Sequence, residues 1–121
     1  DASVVIWVRF GAFDALLTGD VPVEVERAVS RELPGGIEVL KVAHHGSDTS
    51  TDSLLLARAG PSLALLSVGR GNRYGHPHPD VLARLHRAGI EVRRTDLEGT
   101  LRVRARRDGT FTVVPERPAG R

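Results

Sequence analysis

The amino-acid sequence predicts an α/β fold, and three of its features do so. Apolar runs rich in Val, Ile, Leu and aromatic residues recur at 3–10, 13–17, 37–42, 62–68 and 90–95. The segments between the later runs repeat their apolar residues at helical spacing and stop at Gly or Pro. Polar stretches holding Asp and His follow three of the runs, and layered α/β proteins build their sites at such strand ends.

Ser3–Phe10 (Ser-Val-Val-Ile-Trp-Val-Arg-Phe) is β-branched and aromatic and reads as a strand; Gly11-Ala12 is a tight turn, and Phe13–Leu17 is the returning strand of a hairpin. The segment Pro22–Leu33, with Val21 before it, carries Val21, Val25, Ala28, Val29 and Leu33 at helical spacing, with Glu24 and Glu26 early and Arg27 and Arg31 late, as the helix dipole prefers. Pro34-Gly35-Gly36 ends it. Ile37–Val42 is a buried strand that breaks into His44-His45-Gly46-Ser47; a Ser/Thr/Asp cluster then caps a short helix, Leu54–Ala59, which stops at Gly60-Pro61. Ser62–Val68 is continuously apolar, as a strand buried on both faces would be. A long loop runs from Gly69 to Pro79. Asp80–Ala88 is an amphipathic helix with Val81, Leu82, Leu85 and Ala88 inward, and Ile90–Thr95 is a strand. Asp96–Gly99 reads as a turn, and Thr100–Arg106 and Thr110–Val114 as a hairpin around Arg107-Asp108-Gly109. The expected order is β-β-α-β-α-β-α-β-β-β, with residues 1–114 as the domain part and 115–121 as a loose tail.

The 121 residues, 40% of them hydrophobic, suffice for one modest core. No apolar run approaches the ~20 residues of a membrane span. Without cysteine, neither disulfides nor thiolate ligands are available, so any metal would be held by His and carboxylate. The missing start methionine suggests an excised fragment. Of the 17 basic residues only Lys41 is a lysine. Arginine favours bidentate phosphate contacts, and a GC-rich coding bias accounts for it equally well.

Several positions invite chemistry, each beside a plainer reading. Asp20 is either a metal-bridging carboxylate at a strand tip or the N-cap of the next helix. His44 and His45 are adjacent at a strand end and point opposite ways. One could bind metal while the other meets substrate; alternatively both make ordinary loop hydrogen bonds. His76-Pro77-His78-Pro79-Asp80 superficially resembles an H-x-H-x-D-H metal signature, but the sixth position is Val81, and a helix start explains the same residues. His86 is expected at the surface or core edge. Arg102, Arg104 and Arg106 alternate onto one strand face, as a phosphate-tracking stripe or as a solvated edge that deters pairing.

Thr18-Gly19-Asp20, Lys41-Val42-Ala43-His44-His45-Gly46-Ser47 and Asn72-Arg73-Tyr74-Gly75-His76-Pro77-His78-Pro79, in this order, resemble the metallo-β-lactamase-like domain at the C-terminus of ComEC-type competence proteins, the inner-membrane channels of bacterial DNA uptake. The similarity runs from about Val4 to Val114. It implies half of a metallo-β-lactamase-like αββα sandwich, because the superfamily's main metal motif in the N-terminal half is absent. By the same resemblance the parent domain is a two-metal phosphodiesterase using Zn²⁺ or Mn²⁺, which degrades the DNA strand that is not imported. Asp20 matches the bridging aspartate, and the His44/His45 pair supplies a late histidine ligand, with His45 favoured. His76 and His78 lie at the mouth of the site as phosphate contacts or as proton donor. Hydrolysis of another ester, such as a phosphorylcholine or nucleotide ester, and a non-catalytic DNA-guiding module are the alternatives.

The implied partners are DNA, the missing N-terminal half and the parent's channel domain, with the domain soluble on the periplasmic side of the inner membrane. Half a sandwich is expected to leave the runs 37–42 and 62–68 short of cover, so the fragment is expected to form a homo-oligomer.

Overall fold

The computed structural model describes residues 4–19, 23–33, 35–42, 53–69 and 77–118. Within them β1 (Ile6–Phe10) and β2 (Phe13–Leu17) form an antiparallel hairpin, followed by α1 (Val23–Ser30), β3 (Val39–Lys41), α2 (Ser53–Ala59), β4 (Leu63–Leu66), α3 (Pro79–Arg87) and β5 (Glu91–Arg94). A single helical turn, α4 (Thr95–Glu98), leads into a second hairpin, β6 (Leu101–Ala105) and β7 (Phe111–Pro115). The element order is the expected one, with α4 in place of the turn at 96–99.

β1 to β5 form one five-stranded sheet in chain order, and β2, β3, β4 and β5 run parallel. Each step between neighbouring parallel strands is a helical crossover of the same hand, which places α1, α2 and α3 on one face of the sheet. The packing agrees. Leu16, Leu40, Val42, Ala64, Leu66 and Val68 point to that face and meet Leu33, Leu55, Leu56, Ala59, Val81 and Leu85 from the helices and their ends. The alternate residues Phe13, Ala15, Val39 and Leu63 point to the other face, where Val103, Ala105, Phe111 and Val113 of the β6–β7 hairpin cover them. Phe13 and Phe111 meet edge to face with ring centres 5.9 Å apart. The architecture is α/β with three layers: helices, a mostly parallel sheet, and a two-stranded second sheet.

This arrangement corrects four expectations. The runs 37–42 and 62–68 are covered on both sides by the chain's own helices and hairpin, so they do not need a partner. The uncovered apolar surface is β1 instead, where Ile6, Trp7, Val8 and Phe10 are all exposed. β1 lies at the sheet edge, and the hairpin reaches it at Phe10, through Arg107. On α1, Val25 and Ala28 face solvent, while Glu26, Ser30 and the following Leu33 are buried and Val29 is half-buried. The docked stripe is Glu26-Val29-Ser30-Leu33, equally helical in spacing and rotated from the expected one. Ser30 can be buried because its hydroxyl donates to the Arg27 carbonyl, at 2.8 Å. Ala88, expected inward, is exposed as the C-cap of α3. The chain from Pro115, expected as a loose tail, is tied down as far as Arg117: Pro115 pairs with Leu101, and the amides of Glu116 and Arg117 donate to the carbonyls of Thr100 and Glu98.

Candidate functional site

Parallel register brings the C-terminal ends of β2, β3, β4 and β5 to one edge of the sheet. Leu17 lies beside Lys41, Lys41 beside Leu65, and Leu66 beside Arg94. This is the edge at which α/β proteins bind ligands, because the segments leaving the strands there are free of the ladder. Two threonines extend the pairing one step past the strands. The buried Thr18 hydroxyl donates to the Lys41 carbonyl at 2.6 Å. The Thr95 hydroxyl accepts from the Val68 amide at 2.8 Å and donates to the Val68 carbonyl at 2.9 Å. In addition, the Val42 amide donates to the Leu65 carbonyl, at 2.9 Å. The ends of β3 and β4 are thereby pinned ahead of the His44-His45 stretch and of the longer segment that leads to Tyr74-Gly75-His76 in the sequence.

Threonine suits this task because a single hydroxyl can both donate and accept where the main-chain ladder stops. Neither residue was singled out from the sequence, although Thr18 stands inside Leu-Leu-Thr-Gly-Asp. A threonine after an apolar run carries no local sign of which carbonyl it will meet. Arg94, one residue before Thr95, gives both Nε and Nη2 to the Asp96 carboxylate at 3.0 and 2.7 Å, and these bonds raise its pKa further.

Of the candidate residues, His78 is described. It is the N-cap of α3, with φ −69° and ψ 137°, and its Nδ1 accepts from the Asp80 amide at 3.1 Å. Pro79 follows at the first helical position, so the plainer reading of the His78-Pro79-Asp80 stretch as a helix start holds. The Asp80 carboxylate lies 3.9 Å from the same Nδ1. A nitrogen that accepts the amide proton carries none of its own, so capping and an ion pair through Nδ1 exclude each other. His86 is exposed on α3, as expected.

Asp20, His44, His45 and His76 lie outside the described residues. Among the described residues no group of three or more His, Cys, Asp or Glu side chains could hold a metal ion. No described helix is long and apolar enough to cross a membrane.

The chain is 43% identical over 117 residues to ComE operon protein 3 of Bacillus subtilis, a match covering 95% of this chain and 15% of that protein. It is 45% identical over 101 residues to Recombination protein 2 of Haemophilus influenzae, covering 84% of this chain and 13% of the relative. Its identity with Competence protein ComA of Neisseria gonorrhoeae is 36% over 109 residues, covering 88% and 16%. No protein-family model matches the chain. Over most of its length the chain is therefore related to bacterial competence proteins, and it spans only a small part of theirs.

Proposed function

We propose that this chain is the C-terminal half of a metallo-β-lactamase-like domain that hydrolyses DNA phosphodiesters in a bacterial DNA-uptake protein. The observation that supports it best is the shared edge of strand ends, pinned by Thr18 and Thr95, from which the Asp20, His44-His45 and His76 stretches follow in the sequence. The relatives' names, competence and recombination proteins, supply the DNA context.

Carboxylate and imidazole donors suit Zn²⁺ or Mn²⁺. Asp20 and one histidine of the His44/His45 pair, with His45 favoured, would hold metal. Bound metal would activate water and stabilise charge on the phosphate. His76 and His78 would contact phosphate or hand a proton to the leaving oxygen. Two ligands fall short of the three protein ligands plus water common at one catalytic zinc, so the chain alone is expected to be inactive.

The missing N-terminal half is the expected cover for the exposed apolar residues of β1, or a second copy of the chain in its absence. In this reading the domain is soluble, on the periplasmic side of the inner membrane, and joined to the parent's channel domain.

A nuclease assay with Mn²⁺ and Zn²⁺ tests the proposal on this chain and on the parent protein's whole soluble domain. The expected result is cleavage by the whole domain, lost in Asp20→Ala, and none by the chain. Metal-dependent cleavage by the chain alone would show that the site is self-sufficient. Full activity of the Asp20→Ala domain would remove Asp20 from the site.

A further inference from the structure

Two sets of described arginines contrast. Arg9, Arg93 and Arg94 each hold a carboxylate, and Arg58 donates to the carbonyls of Ser30 and Arg31. Arg102, Arg104 and Arg106 are exposed at alternate positions along and just past β6, and none is within ion-pairing distance of a described carboxylate. Their opposite numbers on β7 are uncharged: Arg102 stands across from Val114 and Arg104 across from Thr112. The intervening Val103 and Ala105 pack into the core, so the arginines are held facing outward. The nearby acids are occupied. Asp108 accepts from the amide and hydroxyl of Thr110, and these bonds, more than the neighbouring Arg106, hold its carboxyl below the usual range. Glu116 accepts from the Thr100 amide.

The row leads to an exposed aromatic ring. Arg107, next after Arg106, places its guanidinium 5.0 Å from the ring centre of Phe10, and the Arg107 carbonyl accepts from the Ala12 amide. On the opposite face of β1, Arg9 sits 4.8 Å from the ring centre of Trp7. Phe10 is 39% exposed and Trp7 40%.

We propose that the outer face of the β6–β7 hairpin, continued by Arg107 and Phe10, is a binding surface for single-stranded DNA. The nucleic acid's being DNA rests on the function proposed above; the single-strand character comes from the surface. Alternate strand residues stand about 6.7 Å apart in a straight row, and one extended phosphodiester strand can follow such a row. A duplex backbone winds away from it within a few phosphates. An exposed ring beside a guanidinium group, Phe10 beside Arg107, offers stacking to a base, which only an unpaired strand has free. The surface would lead a separated strand along the hairpin without reading its sequence.

The test is fluorescence anisotropy of the whole chain with a labelled 20-nucleotide oligo-dT, titrated with salt in EDTA, so that it is independent of any metal site and of cleavage. Replacing Arg102, Arg104 and Arg106 together by Ser should lower the slope of log K against log salt by about 2, at roughly 0.7 per single-strand phosphate contact. Phe10→Ala should weaken binding several-fold with the slope kept, since stacking releases no counterions. Circular dichroism melts of both variants confirm folding. An unchanged slope in the triple variant overturns the proposal, as does tighter binding of a 20-base-pair duplex with a slope loss near 3. Success here alongside an inactive whole domain would separate strand binding from the hydrolase reading.

Discussion

The hydroxyl of Thr18 donates to the carbonyl oxygen of Lys41 across 23 positions of sequence, at 2.6 Å, where the ladder between β2 and β3 runs out. Thr18 is 2% exposed, so its methyl is packed and its hydroxyl has no water to turn to. Thr95 does the same for Val68 between β5 and β4. The two threonines close the sheet's C-terminal edge on both sides of β3 and β4.

Thr18→Val keeps the shape and leaves the Lys41 carbonyl without this donor. The expected loss is about 1–3 kcal/mol, read by urea or thermal unfolding. Thr18→Ser should recover most of it, since the hydroxyl returns. A valine variant as stable as the parent would show that the bond adds nothing net.

Glu98 gives a pH dependence. Arg93 Nε lies 3.1 and 2.9 Å from its two carboxylate oxygens and Arg93 Nη2 lies 2.6 Å from Oε1. These bonds, then Arg93's charge and the Arg94 amide, hold the Glu98 carboxyl below its ordinary range against the opposing effect of burial. A depressed carboxylate stabilises the fold fully above its unfolded pKa, and the contribution is lost as pH falls through the lower folded pKa. Glu98→Gln should therefore cost about 1.5–3 kcal/mol at pH 7. The gap between variant and parent should narrow progressively below about pH 4.3. A gap constant down to pH 2 would mean that the bonds depend on shape and not on charge.

Gly11 and Gly89 separate backbone strain from crowding. Both are left-handed, at φ +57° and +73°. A Cβ on Gly11 would run into the Arg107 backbone at the crossing of the two hairpin turns, whereas one on Gly89 meets nothing within 4 Å. Gly89→Ala should cost roughly 1–2 kcal/mol from handedness alone. Gly11→Ala should cost about 1–3 kcal/mol more, because backbone must move. Equal losses in chemical denaturation would show that the second hairpin yields freely.

Much of the fold was legible because it is written in neighbouring residues. Ser62–Val68 has no charged residue over seven positions, and a strand with that character has cover on both faces, as β4 does. Arg102 and Arg104 alternate with Val103 and Ala105, so their outward direction followed from the period of two. Pro79-Asp80 could be read as a helix start from proline's position and the helix dipole, whereas the His78 cap emerged only in the structure. The face of α1 could not. Val25, Val29 and Leu33 and the rotated set Glu26, Val29, Ser30 and Leu33 fit the same helix, and the choice depends on what α2 presents. There Arg58 Nε reaches the Ser30 carbonyl at 3.2 Å.

From the sequence alone come the element order, the apolar character of the central strands on both faces, the outward arginines and the presence of Asp and His just past strand ends. Each follows from local periodicity and turn chemistry, which contiguous residues determine among themselves. Only the tertiary structure decides that those strand ends share one edge, that Thr18 and Thr95 clasp carbonyls 23 and 27 positions away, and that β1 is left uncovered while β3 and β4 are enclosed. The physical reason is that register and cover arise from surfaces distant in sequence. A hydroxyl finds its acceptor, and an apolar face its cover, only after the crossovers have set which strand lies beside which.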